Sequence, residues 1–467
     1  MGRTERAVKP TSGDAVEVED RHPQDRLRRT LSLTDATLLC VASVIGSGIF
    51  LAPGAIADLL PHPGLVLSVW LAGGALSLAG ALANAELGAM YPHAGGDYVY
   101  LREAFHPAAG FMVGWLTFFA IYVGTIGTLA TGFAGAFSHF VPLSPDGELT
   151  LALGMTVAMS ALNYAGVRAG AGFNNLTTVI KISGLIAFVF FGLLLGTGHV
   201  ENFSPLVSRA SEVPLTQFGL ALSPVLFSYL GWNAAVYVAS EIRDPKRNVP
   251  RALFLGLALC TAIYLLVNAV YLYAVPAASQ RGVSNMGEAA AAALFGPLGG
   301  TLVAAFVLAS ILGTLNATIL VGPRIAYAMA IDGRFFGGVD RVHATFDTPH
   351  VAIVVQCVAS IAILLVLRSF QSNLDFTTFG ILLATMADTA ALYALRIRQP
   401  DRVRPYRAWG YPWVPALYFV GNAGIALVML HGRPRECAIA LLVAATGVPF
   451  YLFFARRGAG RRGAGAG

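Results

Sequence analysis

Apolar residues recur along the chain in long stretches, roughly 34–58, 65–90, 107–138, 149–165, 172–197, 217–240, 252–275, 300–330, 351–368, 374–395, 412–430 and 437–455. Short segments rich in Pro, Gly and charge separate them. A hydrocarbon core about 30 Å thick takes about 20 apolar residues in a helix, and in lipid the backbone must satisfy its own hydrogen bonds. The pattern therefore predicts an all-α integral membrane protein of about 12 transmembrane helices with both termini on one side. Residues 1–30 are polar, mixed in charge and without an apolar core, which predicts a disordered tail rather than a signal peptide.

Two stretches are interrupted. The first contains Val44-Ile45-Gly46-Ser47-Gly48-Ile49-Phe50. Glycine costs about 1 kcal/mol relative to alanine inside a helix, so the Gly-Ser-Gly favours a break that frees N–H groups at mid-membrane depth. Such groups suit a small anion. The competing reading is that Gly46 and Gly48 only let another helix approach closely. The sixth stretch contains Phe227-Ser228-Tyr229-Leu230-Gly231-Trp232-Asn233, again a glycine among polar residues. Two breaks so spaced are what an inverted five-plus-five repeat would place, facing each other across the bilayer. N–H groups after Gly48 would meet a carboxylate, and carbonyls near Tyr229 and Leu230 an ammonium, which fits an amino acid zwitterion. On this reading Gly231 leaves room for the substrate side chain, and Phe227 and Trp232 wall or close the pocket.

Charge refines the threading. Only 12% of the 467 residues are charged and 56% are hydrophobic, with a formal net charge of +6. On one side of the threading stand most of the basic residues, whereas the other side has Arg209, Arg281, Arg368, Arg433 and Arg435. The positive-inside bias makes the first side cytoplasmic, and it explains the basic character without nucleic acid. Lys181 belongs to neither side. It falls about nine residues into the fifth stretch, or roughly 13 Å at helical rise. An intramembrane lysine is costly and marks a functional candidate, here for coupling proton movement to transport; the other reading is a structural lysine bonded to carbonyls of a broken helix. Glu86 and Asp388 are also placed within spans, in contact with polar bundle interior or interfacial water. The loop segments 91–98 and 404–412, rich in aromatics and turn formers, read as interfacial anchors.

Other classes find little support. All nine histidines fall in tails, loops or at span edges, and neither HExxH nor GxSxG occurs. No metal site or cofactor is expected. A channel would need a ring of carbonyls or charges, which nothing in the pattern offers. Cys40, Cys260, Cys357 and Cys437 lie in or beside apolar runs without CxxC spacing, so free thiols are expected. Without an acid or an arginine near the breaks, the substrate is expected to be a neutral amino acid.

With Gly46-Ser47-Gly48-Ile49-Phe50, Ala94-Gly95-Gly96-Asp97-Tyr98, the 227–233 segment, the 241–251 loop and Gly322-Pro323-Arg324, the chain resembles the amino acid, polyamine and organocation superfamily. Within it, the L-type amino acid transporters and bacterial amino acid permeases are the nearer resemblance, from Leu31 to about Phe454. The resemblance implies a leucine-transporter-like fold with inverted repeats at 31–198 and 199–398, two further spans in 399–456 and a cytoplasmic tail at 457–467. It implies substrate held at Ile45, Gly46, Ser47, Gly48 and Ile49 and at Phe227, Ser228, Tyr229, Leu230, Gly231 and Trp232. Lys181 would stand where sodium sits in sodium symporters. The implied activity is sodium-independent, proton-coupled uptake of neutral L-amino acids across the cell membrane. The alternative is obligatory exchange, with cationic amino acids or polyamines also possible substrates. The loop 139–148 has no cysteine, so a disulfide-linked heavy chain is not expected.

Overall fold

The computed structural model describes residues 29–93, 95–206, 213–346 and 348–463, and side chains throughout these except at 167–175 and 457–463. Among the described residues nine helices are long and apolar enough to cross a membrane, and Leu33–Val44 (α1) with Gly48–Leu59 (α2), bent by 41°, makes a tenth. The nine include Pro63–Met90 (α3), Pro107–Phe137 (α4), Leu176–Leu194 within the longer helix Val167–Leu194 (α5), Pro245–Ala274 (α6) and Phe370–Arg398 (α7). Two expected spans are not among these, one for want of apolar character and the other because it is broken. One is Pro145–Tyr164, with Asp146 and Glu148 in its first turn. The other is the broken sixth span, Leu215–Tyr229 (α8) followed by the single turn Ala234–Tyr237.

Helix ends differ from the apolar runs where a capping residue, not hydropathy, sets them. Ser144 caps Pro145–Tyr164 by accepting from the Gly147 N–H at 3.2 Å, so that helix starts ahead of its apolar run. Met286–Val321 also starts well before residue 300, and its path turns at Gly296, where φ is +79°. The last helix, Pro434–Gly463, continues through much of the expected tail. The tail at 1–28, residues 464–467 and Ala94 lie outside the described residues.

The first and sixth spans are tied at one end. Leu31 pairs with Ile242 in an isolated parallel bridge, and the Arg243 N–H donates to the Leu31 carbonyl at 2.8 Å. Just beyond, Ser32 and Asp35 form a reciprocal capping box that starts α1. Glu86 on α3 makes a second tie. Its fully buried carboxylate accepts from Arg396 at 2.6 Å, Arg404 at 3.2 Å and the Ala408 N–H at 2.6 Å. The loop 404–408 is thereby strapped to the bundle, and Glu86 meets arginines rather than interfacial water. Glu86→Ala would strand the buried Arg404 guanidinium. Breaking one side of a buried pair costs about 3–5 kcal/mol, so a clear fall in the melting temperature of the purified protein is expected.

Candidate functional site

The two breaks meet. A Cβ at Gly48 would lie 2.8 Å from the Ser228 Cα and 2.2 Å from its Oγ, so bare backbone faces backbone between α2 and α8. Gly231, with φ at +99°, has the Ser43 backbone where its Cβ would be, 2.7 Å from the Ser43 carbonyl carbon. The room expected there for a substrate side chain is thus held by α1. Gly46 faces Thr314, whose Cγ2 would be 3.0 Å from an added Cβ. Close approach, the competing reading of these glycines, is therefore part of what they do.

The broken backbone leaves polar groups that are accounted for one by one. Helix α1 ends at Val44, and Ile45 is extended at φ −74°, ψ 94°. Side chains from three other spans cover the carbonyls that this frees. Lys181 Nζ donates to the Ala42 carbonyl at 3.2 Å and to Thr314 Oγ1 at 2.5 Å. Thr314 Oγ1 donates to the Ile45 carbonyl at 2.6 Å. The Tyr264 hydroxyl lies 2.8 Å from the Val44 carbonyl and 2.9 Å from that of Ser228, and so bridges the two breaks. By contrast, the N–H groups of Gly46, Ser47, Gly48 and Ile49 find no acceptor among the described residues. Ser47 Oγ is buried and likewise has no partner. On the facing break, the carbonyls of Tyr229 and Leu230 receive no donor among the described residues.

Lys181 is 1% exposed. Its helix starts at Val167, ahead of the apolar run, so it sits fourteen residues along, roughly 21 Å at helical rise and deeper than the run implied. Ile45, Ser47 and Ile49 are fully buried, as are Ser228, Phe227 and Trp232 to within a few per cent. The Tyr229 ring turns away from the break toward α3, and its hydroxyl donates to the Trp70 carbonyl at 3.2 Å. Below the breaks lies a cavity of about 30 Å³, enough for a water molecule, whose lining includes Ser43, Leu230, Gly231, Asn233, Tyr122 and Asp97.

Sequence reasoning passed over several of these groups. Asn233, next to Trp232 in the quoted motif, donates to the Tyr237 hydroxyl at 3.2 Å, which donates to Asp97 Oδ2 at 2.7 Å. Tyr122 ends the π-helical turn Thr117–Tyr122 in α4, an irregularity that often marks functional sites. Thr314 and Tyr264 sit in apolar runs and carry no charge, so nothing in the pattern flagged them. Among the described residues no three His, Cys, Asp or Glu side chains gather as a metal site.

A sequence model of the family described as amino acid permease matches residues 31–450. The chain belongs to the amino acid permease family. This permease is an amino acid transporter that crosses a membrane several times, and not an enzyme. It is 30% identical to the serine/threonine exchanger SteT of Bacillus subtilis, over 93% of the permease and 99% of that protein. It is 26% identical to the Asc-type amino acid transporter 1 of Mus musculus, over 91% of the permease and 81% of the relative. The large neutral amino acids transporter small subunit 2 of Homo sapiens is 27% identical, with 91% and 80% covered.

Proposed function

We propose that this permease carries neutral L-amino acids across the cell membrane by alternating access, without sodium, and that Lys181 couples the cycle to protons. The observation that carries the reading is the meeting of two broken helices, one with a row of unpaired N–H groups at Gly46 to Ile49, the other with free carbonyls at Tyr229 and Leu230. A helix N-terminus favours a carboxylate and a helix C-terminus an ammonium, so a zwitterion fits between them in one orientation. Both termini are assigned to the cytoplasm from the basic residues of the loops. The two repeats are assigned to 31–198 and 199–398, with the remaining spans in 399–456.

The lining of the cavity holds no basic side chain, which argues against an anionic substrate, but it does include Asp97, an acid that the sequence reading did not place near the breaks. The names of the relatives, a serine/threonine exchanger and a large neutral amino acid transporter, point to neutral substrates. Exchange is the second reading, favoured by the first of those names and by Lys181, whose two bonds brace the broken first span whatever its protonation does. The two readings separate in proteoliposomes given labelled serine, with or without amino acid sealed inside. Symport fills empty vesicles, whereas obligatory exchange fills only loaded ones. Unlabelled leucine or alanine should compete and arginine should not; strong competition by arginine alone would overturn the neutral assignment.

A further inference from the structure

Asp97 opens the loop helix Asp97–Ala104, and Asp388 lies about two-thirds of the way along α7. Both side chains are buried, at 2% and 1% exposure, on two helices that pack against one another. Asp97 Oδ2 accepts from the Tyr237 hydroxyl at 2.7 Å and from Thr117 Oγ1 at 3.3 Å. Asp388 Oδ2 accepts from Asn84 Nδ2 at 3.2 Å. Their second oxygens, together with Asn84 Oδ1, are buried without a protein donor, and the fully buried Tyr100 hydroxyl is unpartnered as well. That hydroxyl stands beside Gly88, one turn along α3 from Asn84, and close enough to both carboxyl groups to feel their charge.

The groups facing the pair come from every neighbouring element: Asn84 from α3, Tyr100 from the loop helix, Thr117 and Tyr122 from α4, Tyr237 from the sixth span and Tyr418 from Trp413–Gly432. None is cationic, and among the described residues no Lys, Arg or His forms an ion pair with either carboxyl group. Neighbouring carboxylates in a dry site without a cation are not stable with both ionised, and each of these has one oxygen that no protein donor reaches. Asp97 also lines the cavity under Leu230 and Gly231.

We propose that Asp97 and Asp388 form a proton-binding site that latches the cytoplasmic side of the substrate cavity. With the proton in place, the loop helix, α7 and, through Tyr237, the sixth span are held together beneath the breaks. When water reaches the pair, the proton passes to it and leaves two carboxylates whose repulsion parts the loop helix from α7. The inference rests on the transport reading for what the cavity carries, but the presence of the proton does not.

Infrared difference spectroscopy of the full-length protein in lipid tests it directly. The expected result is a protonated carboxylic acid carbonyl band at neutral pH that is lost in Asp388→Asn and in Asp97→Asn and retained in Asp388→Glu. In proteoliposomes, wild-type exchange should quicken as internal pH rises, and the Asp388→Asn rate should not change with it. Two separate variants guard against one that fails to insert. A band that persists in both Asn variants, or is missing from the wild type, overturns the proposal. A band that behaves as expected in a protein that moves no neutral amino acid upholds the proton site and overturns the neutral-substrate reading instead.

Discussion

Gly48→Ala is expected to abolish amino acid binding while the protein still inserts in the membrane. The added Cβ has nowhere to go: it would lie 2.2 Å from Ser228 Oγ, which can rotate away, but also 2.7 Å from the Ser228 Cβ and 2.8 Å from its Cα, and a Cα does not move by changing rotamer. The two breaks would have to part. Unpaired N–H groups at Ser47 and Gly48 would then no longer converge with the carbonyls of Tyr229 and Leu230 on one zwitterion. A hydrogen bond to a charged group contributes about 1.5–3 kcal/mol, so losing two weakens binding by on the order of 100-fold or more. The measurement is the rise in melting temperature of the purified protein on adding serine, alanine or leucine, since a ligand that binds only the folded state raises it. Gly135→Ala is the matched control, because open space surrounds that position. A full substrate-induced shift in Gly48→Ala would reduce the Gly-Ser-Gly to a packing element.

Lys181→Ala should slow transport by roughly 10-fold to 100-fold, the equivalent of one charge-assisted hydrogen bond. The Ala42 carbonyl would lose its ammonium donor, and only Thr314 Oγ1 and the Tyr264 hydroxyl would be left to hold the end of α1. The more telling readout is the pH profile of uptake in proteoliposomes. The dependence on internal pH that Asp97 and Asp388 carry should survive in the variant, so the readout is external pH: loss of the dependence on external pH supports coupling through Lys181. A slower rate with the wild-type dependence on external pH leaves the lysine as a brace only.

What could be read from the chain was the part governed by local rules. The Gly-Ser-Gly at 46–48 and the glycine at 231 mark breaks because glycine weakens a helix wherever it stands, and both helices do break there. Lys181 was visible because a charge inside an apolar run has no bland neighbours to hide among. Its partners were not, since Thr314 and Ala42 reach it from other spans. The same holds for Asp97 and Asp388, one read as part of an interfacial anchor and the other as a polar contact, whose pairing exists only once the loop helix folds against α7. Gly231 was misread for a related reason: a missing side chain announces a close approach without saying whose, and here the visitor is Ser43. The start of Pro145–Tyr164 was missed because hydropathy was followed where Ser144 and Pro145 already announced a helix N-terminus.

The hydroxyl of Tyr264 has one hydrogen and two claimants, the Val44 and Ser228 carbonyls, one from each broken helix. Whichever is served, the other goes short by a similar amount, so handing the hydrogen across leaves the total nearly unchanged. A joint of that kind is shared between the two breaks rather than fixed to one. Under the alternating access proposed above, it would let the two spans shift in small steps about α6, a helix that is itself unbroken.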